Sequence, residues 1–314
     1  MVRLTFLGSG AAEGYPALWC RCERCTTARQ RGGRNLRFRS SALVNDDLLI
    51  DPGPDMVAAA VRLGQDLAPV QATLVTHPHT DHLEASTFFW RRKGFVGTAL
   101  PVLDVYASRA SINRITRHEG REIAAESIHA RLHPIGAFQQ LVITTGGEPQ
   151  PDIRFPEGSQ QPPITPLRSY EVRTLGASHA EPAMEPMFFA IRQVAGPEAE
   201  GRAAPPTLLY ATDTGPFSEE AWTTLRALGE QGWRFDATAI DSTMGLGADS
   251  KGHMSLRQMA WHQDELARLG LLSETAQRHA HHFSHNGTPP YEELVAHLAP
   301  QNIQPSWDGL VVNL

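Results

Sequence analysis

The residues best equipped to do chemistry in this 314-residue chain stand together in Thr76-His77-Pro78-His79-Thr80-Asp81-His82. Three imidazoles and a carboxylate within six positions are the ligand types that suit Zn²⁺, Mn²⁺ or Fe. In an extended segment, positions two apart share a face, so His77 and His79 can point the same way. A turn at Thr80-Asp81 then swings Asp81 and His82 toward a second position. A lone histidine pair would read as an exposed polar loop. Four ligand types directly after the apolar run Ala72-Thr73-Leu74-Val75-Thr76 read as a metal loop beyond a strand end, where α/β folds tend to place chemistry. A second group is Cys20-Arg21-Cys22-Glu23-Arg24-Cys25. Three cysteines are an odd number, poor arithmetic for a disulfide framework, and the polar residues between them argue against a buried apolar run. A structural zinc takes four ligands, so three thiolates leave one to come from elsewhere in the chain.

The histidine cluster resembles the H-x-H-x-D-H motif of the metallo-β-lactamase fold. The resemblance implies an α/β protein built as a four-layer αβ/βα sandwich with metals at one edge. It also implies further ligands, and candidates occur in the expected order. His179 in Gly176-Ala177-Ser178-His179 takes the place of the third histidine of the first metal, beside His77 and His79. Asp213, in Leu208-Leu209-Tyr210-Ala211-Thr212-Asp213-Thr214-Gly215, takes that of the aspartate bridging both metals. His282, in His281-His282-Phe283-Ser284-His285, joins Asp81 and His82 on the second metal, with His281 expected to face away.

The segment from Leu7-Gly8-Ser9-Gly10 through Cys20-x-Cys22-x-x-Cys25 is similar to one branch of that superfamily, the PhnP-type cyclic-phosphate phosphodiesterases, and more distantly to PqqB and ribonuclease Z. By position, the branch implies His285 as the fourth ligand of a structural zinc with Cys20, Cys22 and Cys25. PqqB-like proteins depart from the full histidine motif, whereas His77, His79, Asp81 and His82 are all present here. In Gly252-His253-Met254-Ser255, His253 stands where the branch places a non-ligand histidine, which implies a general acid. Asp241 and Asp51, both at strand ends, are candidates to orient His253 or a ligand histidine.

The expected function is therefore that of a dinuclear metal-dependent hydrolase, most specifically a phosphodiesterase on a small cyclic or nucleotide-derived phosphodiester. Two divalent ions about 3.5–4 Å apart would hold a bridging hydroxide as nucleophile, and His253 would protonate the leaving oxygen. The alternatives are a thioester or lactone hydrolase, for which His253 would be unnecessary, and a PqqB-like protein that binds a metabolite without turning it over. Two Zn or Mn ions and one structural Zn are the expected cofactors, and a homodimer is the expected assembly.

Composition bounds these readings. A net charge of −6 and the lack of a strongly basic arm disfavour nucleic acid as partner. No apolar run approaches about 18 residues and the N-terminus lacks the features of a signal peptide, so a cytoplasmic protein without a membrane span is expected.

The elements that must position these residues follow from pattern. Strands are expected at 40–45 and 47–51 about a turn at Asn45-Asp46, then at 72–76, 99–107, 170–175, 187–194, 207–212, 236–241 and 276–283. Helices are expected at 55–63 with Asp55 as N-cap, 108–126, 256–269 and 291–298. The Gly-, Pro- and Gln-rich stretch 143–166 reads as a surface excursion of a single domain spanning 1–314. An inserted lid within 100–170 would offer Arg109, Arg114, Arg117, Arg121 and Arg131 to phosphate, although a solvated helix face explains the same arginines.

Overall fold

Short apolar runs punctuated by turn residues assemble into two seven-stranded mixed sheets in the computed structural model, which describes residues 1–92, 94–97, 100–118, 121–147, 165–180 and 182–314. The first sheet runs Val311–Asn313, Arg3–Gly8, Ser41–Val44, Leu48–Ile50, Ala72–Leu74, Leu103–Ala107, Ala130–Pro134. The second runs Gln304–Pro305, Leu272–His281, Phe235–Asp241, Thr207–Ala211, Met187–Ala195, Thr165–Gly176, Gln140–Gly147.

Side chains alternate along each strand, so each sheet has two apolar faces to cover. The inner faces meet in one core, with Leu4, Phe6, Ile50 and Leu74 from the first sheet against Tyr170, Phe189, Leu208 and Ala239 from the second. Outside the second sheet, Phe188, Leu209 and Ile240 pack on helices Glu219–Glu230, Leu256–Arg268 and Tyr291–Leu298 through Trp222, Leu225, Met259 and Leu294. Outside the first, Leu43, Leu49 and Val105 pack on helices Met56–Leu63, Ser86–Phe89 and Arg109–Ile115. Helix, sheet, sheet and helix are the four layers expected from the motif.

Parallel pairing places the site. Leu48–Ile50 is parallel to Ala72–Leu74, and Thr207–Ala211, Phe235–Asp241 and Leu272–His281 run parallel to one another. Their C-terminal ends therefore emerge on one edge, carrying Asp51, His77 to His82, Asp213, Asp241 and His282.

Three local expectations need correction. The helix expected over 108–126 stops at Ile115, and Arg117–His118 pairs antiparallel with Arg121–Glu122 instead. The segment lacks a continuous apolar stripe beyond Ile115 that would anchor further turns. Asp55 precedes its helix but does not cap it through its side chain. The carboxylate is drawn to Arg39, accepting from the backbone N–H at 2.9 Å and pairing with Nε at 3.0 Å. Finally, both ends of the expected excursion at 143–166 are strand, in Gln140–Gly147 and Thr165–Gly176 of the second sheet, and 148–164 lie outside the described residues.

Candidate metal centre

Six histidines, Asp81, Asp213 and Asp241 converge at this edge. His77, His79, His179 and Asp213 form one group whose potential ligand atoms all lie within 4.8 Å of one another; Asp81, His82, Asp213 and His282 form a second on the same criterion. Asp213 belongs to both. Its Oδ2 lies 3.2 Å from His77 Nε2, 3.1 Å from His82 Nε2 and 3.2 Å from His179 Nε2, while its Oδ1 faces His253 Nδ1 at 3.0 Å.

Several rings are tethered through one nitrogen, which aims the other inward. His82 Nδ1 donates to Asp51 Oδ2 at 2.7 Å, and the Thr76 hydroxyl and backbone N–H also donate to Asp51. His77 Nδ1 lies 3.0 Å from Thr76 Oγ1. His179 Nδ1 donates to the Gly252 carbonyl at 3.1 Å. His282 Nδ1 donates to Thr243 Oγ1 at 2.8 Å, and that hydroxyl donates onward to Asp241 Oδ2 at 2.9 Å. Thus Asp51 with Thr76 in one sheet and Asp241 with Thr243 in the other do the same work. Such tethers fix the tautomer and orientation that a metal-binding imidazole requires.

The backbone is also bent to purpose. Asp51, Asp213 and His282 have φ of 57°, 51° and 62°, the left-handed region that costs a non-glycine residue about 1–3 kcal/mol and persists only where the surroundings enforce it. Each turns its side chain off a strand end into the site. The strands supply the rigid base, and buried Ile50, Ala211 and Ala280 fix them in the core.

The donor set fits divalent cations on three observations. His77 Nε2, Asp213 Oδ1 and His253 Nδ1 are buried atoms without a hydrogen-bond partner. Ring nitrogens face one another at 3.2 Å in His82–His282 and in His79–His179, an approach that a shared cation relieves. The field is the third. Burial opposes ionisation of Asp213, yet His282, His253, His77 and His82 around it hold its carboxyl well below the usual range. Burial also opposes a charged His82, yet Asp81 and Asp51 hold its pKa well above the usual value. His77 and His179 are pushed down chiefly by burial, His179 to about 4, so they stay neutral and able to ligate.

His253 precedes the Leu256–Arg268 helix, whose start is fixed by a capping box between Ser255 and Gln258. Its Nδ1 is 3.0 Å from Asp213 Oδ1 and 3.6 Å from Asp241 Oδ2, and the ring keeps 29% of its exposure where His82 has none. Burial opposes its charge, but Asp213 and Asp241 outweigh that and raise it to about 10. His253 therefore joins Asp213, Asp241 and His282 in a third potential ligand group. His281 faces away, bonded to Ser40 Oγ at 2.7 Å and Ser306 Oγ at 2.8 Å.

Beside this centre, Cys20, Cys22, Cys25 and His285 also gather with ligand atoms within 4.8 Å. Cys22 starts the Glu23–Arg31 helix, and the Cys25 backbone N–H donating to its sulfur lowers its thiol to about 6. Cys22 Sγ lies 3.5 Å from His285 Nδ1, which brings the N-terminal loop against the segment following His282. Arg24 on the Asn286 carbonyl and Arg31 with Glu292 and Glu293 reinforce that junction.

Sequence reasoning missed Thr76 and Thr243 as tethers. A hydroxyl adjacent to His77, and another two residues past Asp241, were the available signals. Of the arginines considered for phosphate, Arg131 is committed to Asp104 through Nε at 2.8 Å and Nη2 at 2.7 Å.

The description "Beta-lactamase superfamily domain" matches residues 47–271, and the chain belongs to that superfamily. Within it, the His/Asp groups have the make-up of a dinuclear metal site. Among curated proteins, the chain is similar to an octanoyltransferase from Porphyromonas gingivalis, 34% identical over 34% of this chain and 23% of that protein. It is also similar to the coenzyme PQQ synthesis protein B of Methylobacterium radiotolerans, 30% identical over 45% of this chain and 48% of that protein. The chain thus spans less than half the length of these curated relatives. Among solved structures, a diphosphatase of the PhnP family shares the fold over 100% of this chain and 98% of its own, with a TM-score of 0.65 and 19% identity. Zinc-bound PqqB from Methylobacterium extorquens shares it over 99% of this chain and 100% of its own, with a TM-score of 0.64 and 18% identity. Among the described residues, no helix is long and apolar enough to cross a membrane.

Proposed function

We propose that this protein is a dinuclear phosphodiesterase acting on a small cyclic or nucleotide-derived phosphodiester. The observation that carries the reading is Asp213, whose carboxylate belongs to both ligand groups and also meets His253. His77, His79 and His179 would hold one divalent ion and Asp81, His82 and His282 the other, with Asp213 between them. Zn or Mn suits this nitrogen and oxygen donor set. Bound there, the ions supply a water-derived nucleophile near neutral pH and Lewis-acid polarisation of a phosphoryl oxygen. Cys20, Cys22, Cys25 and His285 would hold a separate structural zinc.

The chain's own residues do the rest. Asp51 and Thr76 hold His77 and His82, and Thr243 holds His282. His253, whose Nδ1 faces Asp213 and Asp241 while the ring keeps 29% of its exposure, would carry the proton for the departing oxygen at Nε2. Divalent ions held at Asp213 would oppose that proton and lower the ring from about 10 toward the range where acid catalysis works best. The shared fold of the PhnP-family diphosphatase supports a phosphoryl substrate.

The similarity to PQQ synthesis protein B favours one other reading, a metabolite-binding protein without turnover. The deciding experiment assays Mn²⁺- and Zn²⁺-loaded protein on bis-p-nitrophenyl phosphate, a 2′,3′-cyclic nucleotide, a thioester and a lactone. Metal-dependent phosphodiester turnover is expected, and His253→Ala should slow poor leaving groups far more than good ones. Thioester or lactone cleavage without phosphodiester turnover would overturn the proposal, and no turnover with either metal would favour the binding protein.

A further inference from the structure

Away from the metal centre, a cavity of about 260 Å³ lies against the outer face of the first sheet. Leu49, Met56, Leu67, Phe88, Val96 and Leu103 are among its lining residues. Its two threonines have their hydroxyls engaged, Thr73 with the Leu49 carbonyl at 3.2 Å and Thr87 with the Glu84 carbonyl. Among the described lining residues, the charged one is Arg91. Its Nη2 donates to the Pro101 carbonyl, while its Nε is screened from water and has no hydrogen-bond partner.

No ion pair is formed by Arg91 among the described residues, and burial alone pushes its guanidinium down to about 10. Arg91 is half-buried, and a guanidinium so placed, with N–H donors left over from Pro101, is suited to a carboxylate. The charge selects an anion and the walls select an apolar body. Size narrows the ligand further. The volume lies between the ~150 Å³ that accommodates benzene and the ~300 Å³ at which drug-sized pockets begin, which corresponds to about ten non-hydrogen atoms.

We propose that this cavity binds a medium-chain carboxylate, its head on Arg91 and its tail among Leu49, Met56, Phe88 and Leu103. The site is separate from the reading of the metal centre and stands if that reading fails. It nevertheless borders it. Pro52, which lines the cavity, follows Asp51, and its carbonyl accepts from the Glu84 N–H at 2.9 Å, two residues past His82.

The test is calorimetric titration of the metal-loaded full chain with octanoate and, as a neutral match, 1-octanol, followed in parallel by tryptophan emission, since Trp90 lines the cavity. Saturable octanoate binding about 10–100-fold tighter than octanol is expected, the span that a charge-assisted hydrogen bond supplies. Arg91→Met should erase that preference while keeping octanol binding, metal content and hydrolysis. Val96→Trp should block both ligands, and it decides the matter if Arg91→Met does not fold. No saturable octanoate binding, an equal response to both ligands, or a preference that survives Arg91→Met would overturn the proposal, as would octanoate binding retained in Val96→Trp.

Discussion

Gly53→Ala tests how the metal loop is positioned without touching a proposed ligand. Gly53 follows Asp51 and Pro52 and packs under the turn that carries Asp81 and His82. A Cβ there would stand 2.4 Å from the Asp81 carbonyl oxygen and 3.4 Å from its carbon. The neighbour is backbone and cannot rotate away. Restoring ordinary contact requires about 1 Å of displacement, and overpacking of this kind costs about 1–3 kcal/mol. The displacement falls on the backbone that aims Asp81 and His82. A misplacement of about 1 Å can cost about 100-fold in rate, so turnover should fall on that order. The Asp81, His82, His282 and Asp213 group should also release its ion more readily than the His77, His79 and His179 group. Chelator-treated protein should melt a few °C lower, about 2–4 °C per kcal/mol for large domains. Melting of the metal-free protein separates strain from lost metal, and chelator competition measures affinity. A Gly53→Ala protein that melts and turns over like wild type would refute the positioning argument.

Thr243→Val keeps volume but removes the hydroxyl between His282 and Asp241, and should weaken metal binding about 10–100-fold in chelator competition, with Thr243→Ser restoring it. Wild-type affinity in the valine variant would contradict the tether. A variant lacking the thiols of Cys20 and Cys22 should carry about one zinc fewer per chain by metal analysis; an unchanged content would rule out the cysteine site. The pH dependence of stability should be partly set far from the metal centre. The Arg168 guanidinium, 2.7 Å from Glu198, lowers that carboxyl from 4.5 to about 2. A depressed acid stabilises the fold above its unfolded pKa and loses that contribution as pH falls from about 4.5 through about 2. The difference in unfolding free energy between wild type and Glu198→Gln should shrink by about 1–3 kcal/mol across that window in denaturant titrations. A difference that is flat with pH would sink this assignment.

Much of the centre was legible in sequence because its ligands follow β-rich runs. Runs such as Ala72 to Val75 and Leu208 to Ala211 announce buried strands, and a parallel sheet brings their ends to one edge. His77, His79, Asp81, His82, His179, Asp213 and His282 therefore come together as the motif implied. The left-handed backbone at Asp51, Asp213 and His282 was not legible, since none is a glycine and the strain is imposed by tertiary contacts. Nor were the tethers from Thr76 and Thr243, because a threonine at a strand end usually signals β propensity and one in the turn beyond it usually signals a local turn contact. The helix expected over 108–126 failed for a related reason. Local polarity fits a helix surface, but extension needs an apolar stripe against a core, and that stripe ends at Ile115. Asp55 was likewise a plausible cap until Arg39, distant in sequence, claimed its carboxylate.

The central claim is that Asp213 joins two ions in one site, and metal analysis by inductively coupled plasma mass spectrometry tests it most directly. Wild type saturated with Zn²⁺ and then desalted should hold about two ions at the histidine and aspartate groups and about one at the cysteine group. Asp213→Ala should retain the cysteine-bound ion and lose occupancy at both other positions together. An Asp213→Ala protein that keeps the full wild-type complement, or a wild type that holds no metal beyond the cysteine site, would contradict the account.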